Sequence, residues 1–377
     1  MNGGNQRRSL GRPADLDIVI LGLSITSSWG NGHATTYRAL AKALAARGHR
    51  VRFLERDLAW YAENRDLARP AFAETRLYAS VEELQDVHAA AVRDADLVIV
   101  GSYVPDGIAV GDWVRATARG HVAFYDIDTP VTLAALDRDA ASYISRPQVS
   151  RYDLYLSFAG GPTLRRLERE LGSPMARPLY CAFDPDAYTP EPTAAAWDLG
   201  YMGTYSADRQ PTLTNLLVEA AQRLSGQRFV VAGPQYPTEL RWPPNVERVA
   251  HVEPAQHRSF YCRQRFTLNV TRADMVRAGY SPSVRLFEAA GCGIPIISDE
   301  WPGLATFFRP HHEILIARCA DDTVHYLTTF DAEDAARVGQ RARARVLAEH
   351  TADHRAEQLE SYVAELRGRR SGTRTAD

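Results

Sequence analysis

Residues 281–295 read Ser-Pro-Ser-Val-Arg-Leu-Phe-Glu-Ala-Ala-Gly-Cys-Gly-Ile-Pro, and the reading of this stretch decides the fold. It lies between two apolar runs, Phe266–Val270 and Ile294–Ser298, with a polar loop at residues 271–280 ahead of it. The order is strand, loop, helix, strand. Ser281 suits an N-cap and Pro282 the first helical position, where a missing N–H costs nothing, while Gly291 and Gly293 suit the helix end. A helix start of this kind offers unpaired backbone N–H groups and a positive dipole end to a phosphate. Glu288 lies seven residues beyond Ser281, two turns along the same face, where a carboxylate can hold the hydroxyls of a ribose. Ser283 and Arg285 lie on the first turn and join this candidate site; Arg285 can equally pair with Glu288 or face solvent. Capped helices between strands occur throughout α/β proteins, so a purely structural helix stays open on local chemistry alone.

The stretch resembles the donor-binding helix of GT-B fold glycosyltransferases, specifically the CgeB-like (spore-maturation-type) group, a relative of the retaining group 1 superfamily. The superfamily signature here is Glu, seven residues, Glu. Glu288 matches the second Glu, which the resemblance assigns to the nucleotide ribose, and Tyr280 stands where the first would be. The resemblance implies an α/β chain of two Rossmann-like α/β/α domains facing each other across a cleft. An acceptor-binding domain is expected over residues 15–188, a nucleotide-sugar-binding domain over 196–350, and a crossover helix over 351–368 packing back on the first domain.

A chain of 377 residues has room for two such cores. Its hydrophobic content of 45% and charged content of 24% are those of a soluble globular protein. No apolar run approaches the ~20 residues of a membrane span, and Arg7, Arg8 and Arg12 lead into a strand-like run rather than a signal peptide, so a cytoplasmic location is expected. A net charge of −2 argues against a general nucleic-acid or anionic-membrane surface. Lys42 is the only lysine among 44 basic residues, a bias that warns against reading every Arg as a phosphate clamp. The four cysteines are scattered with no C-x-x-C pair, so free thiols are expected rather than a zinc site or disulfides. The sequence leaves the oligomeric state open.

The first βαβ unit runs from the strand Asp17–Ser24 through the loop Ser27–His33 and a helical pattern at Tyr37, Leu40, Ala41 and Leu44 to the strand Arg50–Leu54. Its loop lies at the carboxyl edge, where such sheets bind ligands. Gly32 resembles the second Gly of the retaining superfamily's Gly-Gly, with Asn31 in place of the first. Gly32-His33 equally resembles the Gly-His of inverting nucleotide-sugar transferases, whose His is the catalytic base. Alternation continues to the strand His121–Tyr125, which ends in Asp126-Ile127-Asp128-Thr129-Pro130. Inverting relatives carry at this position the Asp that orients the base. Asp126 and Asp128 point to opposite faces of a continuing strand, so one of them is expected to serve, and Asp128 equally suits capping the next helix. Asp126-Ile127-Asp128 has the literal form of a metal-binding Asp-x-Asp. Its place late in the first sheet favours a helix N-terminus plus Arg instead, so no metal and no resident cofactor are expected, the nucleotide-diphosphate sugar entering as co-substrate. Asp184 is expected to tie down the turn where the chain leaves the first lobe.

In the second lobe, Gly203 ends the strand Leu199–Gly203 and Arg209 follows six residues on, an arrangement resembling the superfamily's diphosphate-contacting loop; Asp208 can pair with Arg209 instead. Arg272 stands just past the strand Phe266–Val270, facing the opening at Ser281, with Asp274 as the competing partner. The expected function is metal-independent glycosyl transfer from a nucleotide-diphosphate donor to a small-molecule or glycan acceptor. An inverting route is expected, with His33 as base and Asp126 or Asp128 supporting its imidazolium. A retaining transferase, a nucleotide-sugar epimerase and a non-catalytic sugar-nucleotide-binding protein are the alternatives. A Rossmann dehydrogenase is disfavoured because Thr35 occupies the place of the third glycine of G-x-G-x-x-G. Acceptor selection falls to the first-lobe loops Ser24–His33, Ser102–Gly107 and Asp126–Arg138.

Overall fold

The structure, a computed structural model, describes residues 15–29 and 32–373. The arginine-bearing start of the chain and Asn31, read as standing for a family glycine, lie outside the described residues. Short apolar runs buried on both faces form parallel strands, as Ile18, Val19, Ile20 and Leu21 do in the first of them. One sheet holds β1 (Asp17–Gly22), β2 (Arg50–Arg56), β3 (Glu74–Tyr78), β4 (Leu97–Gly101), β5 (His121–Asp126), β6 (Leu154–Ser157) and β7 (Ala176–Pro178), in the order β3-β2-β1-β4-β5-β6-β7. The other holds β8 (Trp197–Met202), β9 (Phe229–Ala232), β10 (Val246–Val249), β11 (Gln264–Asn269), β12 (Ile296–Ser298) and β13 (Leu315–Ile316), in the order β10-β9-β8-β11-β12-β13. Each sheet starts in its middle and reverses beside its first strand. The points of reversal, between β1 and β4 and between β8 and β11, gather loops from the strand carboxyl ends.

The edge strand β3 carries no apolar run, four of its five residues being half-buried or exposed, so no sequence pattern marks it. The segment Gly303–Phe307 holds a single 3₁₀ turn at Leu304–Thr306, where Gly303 adopts φ 91° and its carbonyl accepts from Thr306 N–H at 3.0 Å.

The final helix, Ala352–Thr373, crosses back along the first-lobe helix His33–Ala46. Buried Glu360 accepts from Arg47 Nε at 2.7 Å and lies 2.8 Å from His49 Nε2; Glu365 pairs with Arg177 at 2.6 Å. Asp184 ties down the crossing turn, accepting from Lys42 Nζ at 2.7 Å and from Asp186 N–H at 3.0 Å. One apolar cluster runs without a break from Ile18 and Tyr37 through Phe183 and Tyr188 to Leu286 and Phe287, so the lobes share a core on the hinge side. Among the described residues no helix is long and apolar enough to cross a membrane.

Tyr280, standing where the family signature has its first Glu, fastens the lobes together. Its N–H donates to Pro302 O at 2.7 Å and its carbonyl accepts from first-lobe Gly160 N–H at 2.9 Å. Its ring lies in a slot between two glycines: a Cβ on Gly161 would come within 2.5 Å of it, and one on Gly303 within 2.6 Å. Gly161 also has φ +56°, so Gly161→Ala would meet both backbone strain and the ring. We expect that variant to lose roughly 2–4 kcal/mol in urea denaturation and to show a larger radius of gyration by X-ray scattering as the lobes part.

Candidate active site

The helix expected to open at Ser281 begins two residues later. It spans Val284–Gly291 with Ser283, extended at φ −79° and ψ 142°, in the N-cap position. Ser281 is buried, and the Pro282 carbonyl is drawn away from the helix to accept from the Cys181 thiol at 3.3 Å, which keeps both residues outside the first turn. Ser283 makes no side-chain cap bond, so the helix start stays open toward the cleft. Gly291 is the last helical residue, and Gly293 takes φ +75° beyond it.

Three guanidinium groups converge on this opening. Arg285 is buried rather than solvent-facing and does not pair with Glu288: its Nε donates to Met202 O at 2.6 Å, one terminal nitrogen donates to Asn269 Oδ1 at 2.9 Å, and the group lies 4.8 Å from the centre of the Tyr201 ring. Gly203 makes this possible, since a Cβ there would come within 2.8 Å of the guanidinium and 2.6 Å of the Tyr201 hydroxyl. Arg209 donates to Thr204 O. Burial pushes its pKa down, and the like charges of Arg285 and Arg272 add to the shift. Asp208 does not pair with Arg209; it accepts from Ala273 N–H at 2.9 Å and from the Ser206 hydroxyl. Arg272 does not pair with Asp274, which is taken by Arg277; it reaches across the cleft to Asp128 Oδ2 at 3.3 Å.

Deeper on the same helix, Glu288 is buried, with Tyr188 donating to one oxygen at 2.8 Å and Tyr261 to the other at 3.1 Å. It lines an inter-lobe cavity of about 200 Å³ together with Gly32 and Thr35 from the first lobe and Gly203, Ser283 and Arg285 from the second. A larger open trough of about 790 Å³ runs outside, along β10 and the helix Pro254–Cys262, and meets the cleft only at His251 and Val252. None of the expected site residues faces that trough.

On the opposing wall His33 is the first residue of its helix, with Gly32 in the N-cap position. Burial, aided by the Arg272 charge, pushes its pKa down to about 4, so the imidazole is neutral at pH 7. The loop leading to it is anchored by buried Glu55, which accepts from Ser24 Oγ at 2.9 Å, Ile25 N–H at 2.7 Å, Thr26 N–H at 3.0 Å and Thr26 Oγ1 at 2.6 Å.

The two aspartates separate as strand alternation requires. Asp126 turns into the first lobe, both oxygens occupied, by Tyr155 at 2.6 Å and Thr132 at 2.7 Å. Burial raises its pKa to about 6. It is therefore not the carboxylate that faces the cleft. Asp128 holds the N-cap position of the helix Thr129–Leu136 but makes no side-chain cap bond. Its Oδ2 accepts from the Tyr103 hydroxyl at 3.1 Å and from Arg272. The Tyr103 ring lies 5.3 Å from that of His33. Sequence reading missed Tyr103, Glu55, Asn269, Tyr188 and Tyr261. Each acts through a contact distant in sequence, and the tyrosines are indistinguishable there from core aromatics.

Residues 209–361 match a family model described as glycosyl transferase-like. Among curated protein sequences none matches this chain. Solved structures share its fold over nearly the whole length. Sucrose-phosphate synthase from Thermosynechococcus elongatus is 16% identical with a TM-score of 0.70, covering 93% of this chain and 99% of its own. Anabaena HepE, solved with UDP and glucose, is 13% identical with a TM-score of 0.65, covering 93% and 100%. An α-glucosyltransferase solved with UDP-glucose and DNA containing an abasic site is 12% identical with a TM-score of 0.67, again covering 93% and 100%. The two parallel-sheet lobes and the cleft between them give the chain the GT-B fold, and its second lobe carries a glycosyl transferase-like domain.

Proposed function

We propose that the protein transfers a sugar from a UDP-type nucleotide sugar to a hydroxyl or amine held by the first lobe, by inverting displacement with His33 as base and without a metal ion. The observation that carries this reading is the grouping of Arg209, Arg272 and Arg285 around an uncapped helix start. Like charges so placed repel until an anion enters, and a diphosphate supplies one. Glu288, two tyrosines fixing its carboxylate, stands where it can accept from the ribose hydroxyls. The UDP ligands named for HepE and the α-glucosyltransferase support uridine as the base. A net charge of −2 supports a small-molecule or glycan acceptor over nucleic acid. The match of Glu288 and the surrounding helix to the expected motif supports the CgeB-like group.

In this mechanism the acceptor O–H gives its proton to the His33 imidazole while its oxygen attacks the anomeric carbon. The bond from that carbon to the diphosphate breaks, and its electron pair stays on the departing phosphate, where the guanidinium groups and helix N–H groups stabilise it. The donor also sets the strength of the base. Arg272 helps hold the His33 pKa down, so a diphosphate that neutralises Arg272 raises the pKa and readies the imidazole only after the donor is bound. Asp128, released from Arg272, is then free to stabilise the imidazolium. Asp126 stays in its network beneath the site and braces it.

Two outcomes are expected. UDP should raise the melting temperature of the wild-type protein and of His33→Ala, but far less that of Arg285→Met or Glu288→Gln. His33→Ala should lose about 10²–10⁴-fold in turnover, and the anomeric proton of the product should show inversion by NMR. Full activity in His33→Ala overturns the base assignment, and a Glu288→Gln variant that binds UDP as the wild type does overturns the donor site. Separately, the lowered pKa makes His33 a pH-dependent element of stability. Between about pH 6.5 and pH 4 the unfolded chain binds its proton and the folded chain does not, so stability is full above that window and falls by up to ~3 kcal/mol through it. His33→Gln should flatten that part of a urea-denaturation series, and saturating UDP should narrow the window by raising the folded pKa.

A further inference from the structure

Tyr103 is left unexplained by the donor site, and its backbone is unusual. It adopts φ +63°, a left-handed conformation that costs a bulky aromatic residue about 1–2 kcal/mol. The strain is held by a braced loop: Ser102 N–H donates to Tyr125 O at 2.9 Å, and the buried Ser102 hydroxyl accepts from Ile127 N–H at 3.1 Å, fixing the residue before Tyr103 to the end of β5. The side chain is fixed at three points. Its hydroxyl donates to Asp128 Oδ2 at 3.1 Å, and its ring packs 4.6 Å from the Tyr143 ring and 5.3 Å, tilted by 47°, from the His33 ring. The Tyr143 hydroxyl is in turn 2.7 Å from Thr132 Oγ1, which bonds to Asp126. A strained residue that its surroundings over-determine, in contact with both a candidate base and the carboxylate of Asp128, points to function.

We propose that Tyr103 is the positioning residue of the transfer reaction: its ring fixes the plane of the His33 imidazole and shields it from water, and its hydroxyl holds that ring, through Asp128, in register with the cleft. This rests on the reading of His33 as base. The left-handed backbone is the means, since an extended residue at 103 would aim its side chain elsewhere. Asp128 thus bears on the imidazole through the Tyr103 side chain that it holds as well as through its charge. Arg272 and Tyr103 share one carboxylate oxygen, so the residue gripping the donor and the residue aligning the base are joined at a single atom.

Two substitutions separate the parts. Tyr103→Phe keeps the ring and removes the tether; Tyr103→Asn tolerates the left-handed backbone and removes the ring. For Tyr103→Asn we expect turnover to fall about 10–100-fold, the dissociation constant for UDP measured by calorimetry to stay within about twofold, and the acid limb of the pH profile of kcat/KM to move up toward neutrality as water reaches the imidazole. Tyr103→Phe should lose less and keep the wild-type acid limb. In a His33→Ala background Tyr103→Asn should cost nothing further. An equal loss in that background, or unchanged turnover in Tyr103→Asn, overturns the proposal. Full activity of His33→Ala by itself overturns the base reading and this inference with it, whereas an inactive His33→Ala beside a fully active Tyr103→Asn overturns this inference alone. UDP binding by each variant reports that it has folded, and an Asn variant that fails to bind UDP counts against a purely positioning role.

Discussion

The ion pair between Arg272 and Asp128, 3.3 Å across the cleft, is the contact on which the arrangement of the site turns. As an adhesive it is weak. Both groups are partly exposed, and pairs of that kind contribute about 0–1 kcal/mol. Its importance lies in whom it joins. Arg272 belongs to the cationic group around the open helix start, and Asp128 is the carboxylate that holds the hydroxyl of Tyr103, whose ring packs against His33. A diphosphate is a stronger partner for a guanidinium than a single carboxylate, because it carries more charge and accepts more hydrogen bonds. On the proposed function, the pair holds these two groups together and a donor diphosphate separates them.

The weakness of that contact is affordable because the lobes are held elsewhere. On the hinge side an unbroken apolar cluster, the returning helix with its buried Glu360, and the turn at Asp184 make one continuous body. Tyr280 adds a fastening between Gly161 and Gly303 at the cleft side. The position where the resembling family has the first Glu of its signature serves here for lobe-to-lobe packing. That exchange removes a carboxylate from the donor side and leaves the positive charge of the cleft less opposed.

What could be read from the sequence followed from local rules. Helix and strand periodicity located the strands around residues 17–24, 50–54, 121–125 and 266–270, and the resemblance carried by Gly203, Arg209 and Glu288 pointed to one face of the cleft. Strand alternation separated Asp126 from Asp128 but could not say which turned outward; the answer came from Tyr155 and Thr132, which claim Asp126 from a neighbouring strand and helix. The cap was misplaced by two residues because the Pro282 carbonyl is engaged by Cys181, a hundred residues away. Arg285 was left between a neighbour on its own helix and solvent, whereas it is held by Met202 and Asn269 from two other strands. Tyr103 carried no signal, since neither a left-handed backbone nor a contact with residue 128 is written in the residues beside it.

The four hydrogen bonds that Glu55 accepts from residues 24–26 have a consequence for how the chain can vary. The base of that loop takes its shape from a side chain on the next strand, not from its own sequence. Ser28, farther along, is held by Asp66 instead, its N–H and its hydroxyl both donating to that carboxylate at 2.9 Å. The mounting of the loop and the segment beyond it thus rest on different side chains, and a substitution at one leaves the hydrogen bonds of the other in place.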